Sequence, residues 1–528
     1  MNYKTIIWTI ILSVFSSSVI TYVALATPIG PWIGPTLALF SLVFFAPLCN
    51  NRDAMIYSVA AGSVGGIMAT AISFSFPTFY FLDAAAFSQL LSNQYYFISF
   101  LSMFCCISGF FGLYLAYQFQ NTLLIEQQLA FPIGQLVYKI IDSAQSDKMR
   151  QLLIGLAAGF GYAILQAKIF FGNYLIAPTL KLWEKTTVSL FSFPALQFDL
   201  VIMPMLLSIG FIAGAMITVP LLIGTCAKIF ITDPLHTLYF KDLSTIDFTF
   251  ALCSGIVLSG AFSGIVRFIQ DCYKVAMRWM AQRQTGQQHN VVSLLSVKPV
   301  LLIGLLIGLL SWCQFSLIAQ LYLVLATAIC AYQISQIAGK IGLALLGRFA
   351  TFVMVPGLLF FTFNPLQITL VATFVELVSG VSTEILFGLK TAQLGKTDTQ
   401  KLIWYQLLAI VVASLTVAIV FYLLITRFEL GSAQLFAQRP QARALLVQAG
   451  QFNYYVLGLG VLFGLVLKKC NIHPMLAIGG LLMPLSLSLS LIAGGSLSYL
   501  VKDKESYEPL CSGIYAANAL AMLCKILF

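Results

Sequence analysis

The sequence predicts an all-α polytopic membrane protein with about 14–16 transmembrane helices on the usual span length, some of them broken or re-entrant. Three observations carry that prediction. Of the 528 residues only 9% are charged and 60% are hydrophobic, with a mean hydropathy of +0.94, whereas a soluble domain carries about 25% charged residues to cover its surface. Apolar runs recur from Thr5 to Phe528, and many approach the roughly 20 residues a spanning helix needs. Prolines interrupt such runs at Pro77, Pro132, Pro194, Pro204 and Pro220. Each removes a helical hydrogen bond, and irregular backbone survives at membrane depth only where protein or a water-filled cavity covers it.

Taken in order, the apolar windows fall at 5–26, 32–49, 54–75, 96–118, 150–167, 200–228, 247–270, 299–316, 317–334, 341–362, 366–387, 403–426, 452–468, 473–493 and 507–527. Shorter stretches at 76–92, 128–142 and 176–198 read as half-helices or re-entrant segments. The first window follows Met1-Asn2-Tyr3-Lys4 and ends in Ala24-Leu25-Ala26, which imitates a cleavable signal. Its apolar run is long for a signal core, so it reads as a retained helix, with cleavage the alternative. The connectors are too short to hold a soluble domain. The chain is therefore a single membrane-embedded domain, 1–528, divisible into an N-half 1–245 and a C-half 246–528. With neither a nucleotide domain nor a G-x-x-x-x-G-K-[ST] loop, an ATP-driven pump is excluded. A gradient or the substrate itself must supply the energy of any transport.

Basic residues exceed acidic ones, 28 to 18, but they are spread over short loops: Arg52, then Lys139, Lys148 and Arg150, then Lys274, Arg278 and Arg283, then Lys390, Lys396 and Lys401. That distribution follows the positive-inside rule rather than a nucleic-acid footprint. It places 139–150 and 390–401 in the cytoplasm and leaves the topology of 168–246 open. Most of the 11 Cys sit in apolar windows and read as small buried hydrophobes, with no disulfide implied. Three His are too few for a His-rich metal site, and no metal or cofactor is expected. Gly155-x-x-x-Gly159, Gly210-x-x-x-Gly214, Gly260-x-x-x-Gly264, Gly304-x-x-x-Gly308 and Gly460-x-x-x-Gly464 let helices approach closely in lipid. Phe74-Ser75-Phe76-Pro77 before Asp83 and Phe191-Ser192-Phe193-Pro194 before Asp199 form a faint internal echo.

An ionisable side chain inside a span is costly and marks function by default. Glu376 is the clearest case, and Glu384 follows after a little over two turns, near the same helix face. Lys390 comes at the helix end. An uncharged acid is cheaper to bury than its anion, so such carboxylates suit proton uptake and release. The alternative is a structural carboxylate bonded to a neighbouring helix. The second candidate is the run from Glu126 to Gln135, where Pro132 and Gly134 break regular structure after Phe131 and free backbone polar groups. Its alternative is an ordinary cytoplasmic loop. Tyr138, Tyr332 and Gln333 complete the polar set that the inner faces of broken helices would present to a solute. Lys168, Lys228, Arg267, Lys340, Arg348 and His473 lie near span ends, where snorkelling accounts for most of them.

Several segments together resemble the oligopeptide transporter (OPT) superfamily, which includes the yellow-stripe-like metal-chelate carriers and bacterial relatives. The run Leu123 to Gly134 resembles that family's acidic segment followed by Leu-Pro-Phe-Pro. Asp53 to Gly62, ending in Phe76-Pro77, resembles its third helix. Ile209 to Ile217 with Leu222-Ile223-Gly224 resembles its Gly-rich central helix, and Phe387 to Gly395 its Asp-Leu-Lys-Thr-Gly signature. Ala477 to Pro484, Gly494-Gly495 and Ser512 to Leu520 resemble the C-terminal helices. The departures are Gly388 in place of the signature Asp, Asn518 where a carboxylate is common, and Lys340 within Ala338 to Gly342. The resemblance implies a secondary active, proton-coupled importer of small peptides or peptide-like metal (iron) chelates. It implies multi-pass residence in a bacterial inner (cytoplasmic) membrane, with the lipid bilayer, a small-molecule substrate and protons as partners, a homo-oligomer as an option, and no nucleic acid. The competing class is a non-transporting scaffold or a lipid-modifying enzyme. An enzyme needs a clustered nucleophile and base, and no Ser-His-Asp or H-E-x-x-H grouping is visible.

Overall fold

In the computed structural model the described residues are 3–27, 33–45, 51–143, 146–165, 179–184, 197–201, 204–241, 243–245, 247–256, 258–259, 299–341, 344, 346–432, 434–449, 453–470, 472, 474–482, 485–501 and 503–527. In chain order the first helices are α1 (Tyr3–Ala26), α2 (Gly34–Phe44), α3 (Arg52–Ser75), α4 (Thr78–Leu82), α5 (Ala84–Ser92), α6 (Gln94–Gln120), α7 (Pro132–Ser143) and α8 (Ser146–Leu165). Strands β1 (Thr179–Glu184) and β2 (Gln197–Val201) precede α9 (Pro204–Ala213), α10 (Ala215–Ala227), α11 (Asp233–Tyr239) and α12 (Asp247–Ile256). The rest are α13 (Pro299–Trp312), α14 (Leu317–Ile341), α15 (Leu346–Phe360), α16 (Pro365–Gly395), α17 (Thr399–Arg427), α18 (Gln438–Val447), α19 (Tyr454–Lys469), α20 (Pro474–Leu482), α21 (Leu485–Leu500) and α22 (Lys504–Leu527). Seven described helical segments are long and apolar enough to cross a membrane, and five shorter ones are apolar. The protein is an all-α polytopic membrane protein.

The chain forms two compact units. One comprises 1–21, 30–144 and 261–423, and the other 22–29, 145–260 and 424–528. The first unit is organised around α16. Pro365 sets the first turn of this helix. Asn364 and Gln367 form a reciprocal capping box, with Asn364 Oδ1 accepting from Gln367 N at 2.8 Å and Gln367 Oε1 from Asn364 N at 3.1 Å. Lys396, left-handed at φ 54°, ends it. Between those ends 31 residues run unbroken, and α16 packs on α3, α6, α7, α14 and α15. Phe374 lies between the rings of Phe104 and Phe111 of α6. Gly112 brings α6 onto the α16 backbone at Val378.

The second unit pairs its helices in nested order: α8 with α22, α9 with α21, and α10 with α20, then α12 with α19. Glycine makes each pairing possible. Gly155 and Gly513 meet the facing backbone at Leu510 and Leu152, Gly210 and Gly494 at Leu491 and Leu207, Gly224 and Gly480 at Ala477 and Leu221, and Gly460 at Leu252. This is close approach through small residues, the favoured packing in lipid. Gly304 and Gly308 depart from the expectation: no described atom lies within 4 Å of where their side chains would start.

Two further readings are corrected. The stretch 176–198 holds no described half-helix. Thr179–Glu184 and Gln197–Val201 form an antiparallel ribbon, with Leu180 opposite Leu200 and Lys181 opposite Asp199. Polar and apolar residues alternate from Gln197 to Leu200, the period of a strand rather than a helix. The window 200–228 is two helices, because Gly214 takes φ 56°, a conformation that ends α9 and that a side chain would oppose. The second half of the Phe-Ser-Phe-Pro echo, the Gly260/Gly264 pair, Pro194, Lys168, Arg267, Lys274, Arg278, Arg283 and His473 lie outside the described residues.

Candidate functional site

Glu376 and Glu384 lie on α16 and are 0% and 3% exposed. Around them α16 is lined with hydroxyls. Thr369, Thr373, Ser379, Ser382 and Thr383 are all buried. Ser335 of α14 faces Ser382 at 3.0 Å and Thr383 at 3.2 Å. One flank of α16 is therefore a polar track inside an apolar unit, and Glu376, Ser379, Ser382 and Thr383 follow one another at helical spacing along it. The Glu384 carboxylate reaches toward the start of α2. Its Oε1 is 3.9 Å from where a side chain on Gly34 would begin, with Ser63 of α3 4.0 Å and Val137 of α7 3.3 Å from the same point. Four helices thus meet at Glu384.

The second candidate run is built as a broken segment. A π-helical turn, Asn121–Glu126, ends α6. Gln128 and Phe131 then take left-handed φ values of 47° and 46°, which non-glycine residues seldom adopt. The break is held by tertiary bonds. Phe131 N donates to Gly339 O at 2.8 Å, and the buried Phe131 ring meets Phe387 edge-on at 5.7 Å. Gly134 lies directly on the α16 backbone at Phe387, next to Lys390, and Thr391 Oγ1 donates to Gly134 O at 3.0 Å. Pro132 and Gln135 occupy the first turn of α7 and are half-buried.

Tyr332 is 7% exposed and Gln333 5%. Gln127 Nε2 donates to Tyr332 Oη at 3.1 Å, and Gln336 Nε2 donates to Gln127 Oε1 at 3.0 Å. This amide chain joins the broken segment to α14 beside Glu126, which is itself exposed. Tyr138 is turned elsewhere. It bonds Arg52, whose guanidinium also lies over its ring at 5.0 Å and pairs with Asp142 at 2.7 Å. Lys390 Nζ donates to Gln393 at 3.4 Å. Phe131, Gly134 and Lys390 are thus brought together, Tyr332 joins them through Gln127, and Tyr138 belongs to a separate ion pair.

Sequence reasoning missed Gln127 and Gln336, although Gln127 adjoins Glu126 in a polar run. It also missed Ser335, Ser382 and Thr383, which carry no signal inside an apolar window; Gln406, downstream of the signature-like run Phe387 to Gly395, was legible only through the resemblance. Gln406 is 0% exposed and accepts from Tyr117 Oη at 3.0 Å. Its Nε2 lies 3.2 Å from where a side chain on Gly388 would begin. A Gln amide thus borders the position at which the resemblance expects an acid. Among the described residues no group of three or more His, Cys, Asp or Glu could hold a metal ion. A cavity of about 500 Å³ opens at the N-terminal end of α16, lined by Asp83, Gln89, Asn93, Tyr96 and Asn364 among others.

No curated protein matches the chain. Residues 291–520 match the model of the family described as OPT oligopeptide transporter protein. That stretch takes in α14 and α16, hence Ser335, Glu376, Glu384 and Lys390. Over that stretch the chain is similar to the OPT oligopeptide transporter family.

Proposed function

We propose that the protein is a secondary active transporter that couples proton movement to import of small peptides or peptide-like metal chelates across a bacterial cytoplasmic membrane. The observation that carries the reading is the pair of carboxylates buried on α16, within a helix that faces protein along its length. A carboxylate at that depth is expensive, and buried hydroxyls accompany it along the same flank of α16. Coupling requires that protonation stabilise one state more than another, since otherwise the proton has no free energy with which to shift the equilibrium. Glu376 is the group assigned to that role. Phe131, Pro132, Gly134, Gln135, Tyr332, Gln333, Glu384 and Lys390 line the solute path beside it, with Glu126 and Tyr138 at its rim. The broken backbone at 127–131 fits the half-helices from which transporters build binding sites.

The test is uptake into proteoliposomes carrying an imposed pH gradient, with and without an uncoupler. Glu376→Gln imitates the protonated acid. It is expected to keep fold and substrate binding while losing at least ten-fold in gradient-driven uptake and all dependence on pH. Gradient-driven uptake by this variant with a wild-type pH profile removes Glu376 from coupling. Uptake by the wild-type protein that ignores the uncoupler removes proton coupling itself.

A further inference from the structure

Between α3 and α6 the chain folds into two short helices, α4 and α5. Phe87 anchors this turn. It is buried, with its ring against Phe76, Phe79 and Tyr80. Asp83 lies at the break between α4 and α5 and is half-buried. Its Oδ1 accepts from Ala86 N at 2.9 Å and so caps α5. That bond needs an acceptor and not a charge, since Asn or Ser caps a helix as well as Asp. Among the described residues the Asp83 carboxylate makes no ion pair and no other hydrogen bond, which leaves Oδ2 for a further donor.

The cavity of about 500 Å³ at the N-terminal end of α16 opens beside this turn. Phe79 and Tyr96 bring aromatic rings to it, Gln89, Asn93 and Asn364 bring amides, and Asp83 brings the one charge. From Phe76 to Tyr96, from Ser311 to Gln320 and from Phe360 to Gln367 no other charged residue occurs. These three connections adjoin one another: Tyr96 meets Trp312 edge-on at 6.2 Å, and Gln367 Nε2 donates to Gln314 O at 2.9 Å. A carboxylate partly removed from water is unfavourable without a partner, and none of the three supplies a cation. The helix starts at the cavity are each closed by their own cap, so none is a bare anion site. Asn93 accepts from Tyr96 N at 3.1 Å and Asn364 from Gln367 N at 2.8 Å. Their amide oxygens are thus used in the caps, and their NH2 groups remain as donors. A carboxylate and aromatic rings suit an ammonium group, and amide donors suit carbonyl oxygens. The volume is that of a small-molecule site.

We propose that this cavity is the entry site for the ammonium end of the solute, held by Asp83. The proposal rests on the reading of the protein as an importer of peptide-like solutes, and it defines the solute chemically: a primary amine with carbonyl oxygens behind it. With 390–401 cytoplasmic, the cavity opens on the outer side. It is separate from the broken segment at Phe131, which packs on Phe387, about 33 Å further along α16 than Pro365. A phosphatidylethanolamine headgroup carries the same ammonium, and the test separates the two sources.

The test measures equilibrium binding of trialanine, N-acetyltrialanine and butylamine to purified protein in phosphatidylglycerol vesicles, with and without phosphatidylethanolamine. Wild type is expected to favour trialanine over its N-acetyl form at least ten-fold in both. Asp83→Asn keeps an acceptor for the α5 cap and removes only the charge. It is expected to abolish the preference and to leave N-acetyltrialanine binding and the unfolding midpoint unchanged. Should it fail to fold, Gln89→Lys, which places a cation on the same wall without touching a cap, must lower the preference instead. A full preference in folded Asp83→Asn, or in Gln89→Lys where the former does not fold, overturns the proposal. So does a preference that phosphatidylethanolamine erases, which would give the carboxylate to lipid. Peptide binding by wild type with no preference overturns the amine site and leaves the peptide reading standing. Butylamine binding that depends on Asp83, with neither peptide bound, keeps the site and ends the peptide reading. If wild type binds none of the three, both fall.

Discussion

Gly134→Ala tests whether α7 is docked on α16 through bare backbone. A Cβ at Gly134 would lie 2.5 Å from Phe387 O and 3.1 Å from Lys390 Cβ, against an ordinary contact of about 3.4 Å or more. The first turn of α7 must therefore withdraw by about 0.9 Å. The Thr391–Gly134 hydrogen bond, now 3.0 Å, then stretches beyond bonding range. Its loss costs about 1 kcal/mol, and the residual overpacking about 1–3 kcal/mol. Better helix propensity of Ala returns up to about 1 kcal/mol. The net destabilisation is about 1–4 kcal/mol, a drop of roughly 1–4 °C in the unfolding midpoint of a 528-residue chain. Gly304→Ala is the control, since no described atom lies within 4 Å of where its side chain would begin; it should be neutral or raise the midpoint slightly. Both are read by thermal unfolding of detergent-purified protein, with uptake measured in parallel. Equal midpoints for the two variants would refute the close docking of α7 on α16.

Asn364→Ala removes one half of the α16 capping box and should cost about 1 kcal/mol, seen as a lower unfolding midpoint; an unchanged midpoint would show that the cap is dispensable. The Arg52–Asp142 pair is 43% and 51% exposed at its side chains, so Arg52→Asp should cost no more than about 1 kcal/mol. The reversed pair Arg52→Asp with Asp142→Arg should recover most of it, and a double variant no better than the single one would deny the pairing. Residues 139–150 and 390–401 should be cytoplasmic by their basic residues. A single Cys placed in either loop of a cysteine-free background should resist an impermeant thiol reagent in intact cells and react after permeabilisation; ready labelling in intact cells reverses the orientation.

The fold class was legible because lipid imposes it: a chain this poor in charge must bury its backbone hydrogen bonds in helices. Helix ends were less legible. The window 366–387 marks α16, but its true start depends on a capping box and its end on a left-handed lysine, both outside the apolar run. The ribbon at 179–201 was misread because hydrophobicity alone does not separate a short strand from a half-helix. In the site, Glu376 and Glu384 stood out as charges in an apolar stretch. Ser335, Ser382 and Thr383 did not, because a buried hydroxyl gains its meaning from a partner on another helix.

The length of α16 has an electrical consequence. Its 31 residues centre on Gly380, and Glu376 and Glu384 lie four residues to either side, about 6 Å each way along the axis. A proton passed from one to the other travels about 12 Å through a hydrocarbon layer about 30 Å thick, or about two-fifths of the field. At about 2.3 kcal/mol per charge per 100 mV for a full crossing, that step alone is biased by about 0.9 kcal/mol. Uptake in voltage-clamped vesicles should then change about four- to five-fold per 100 mV if this transfer limits the rate. A rate indifferent to voltage would mean that no charge crosses between the two acids in the limiting step.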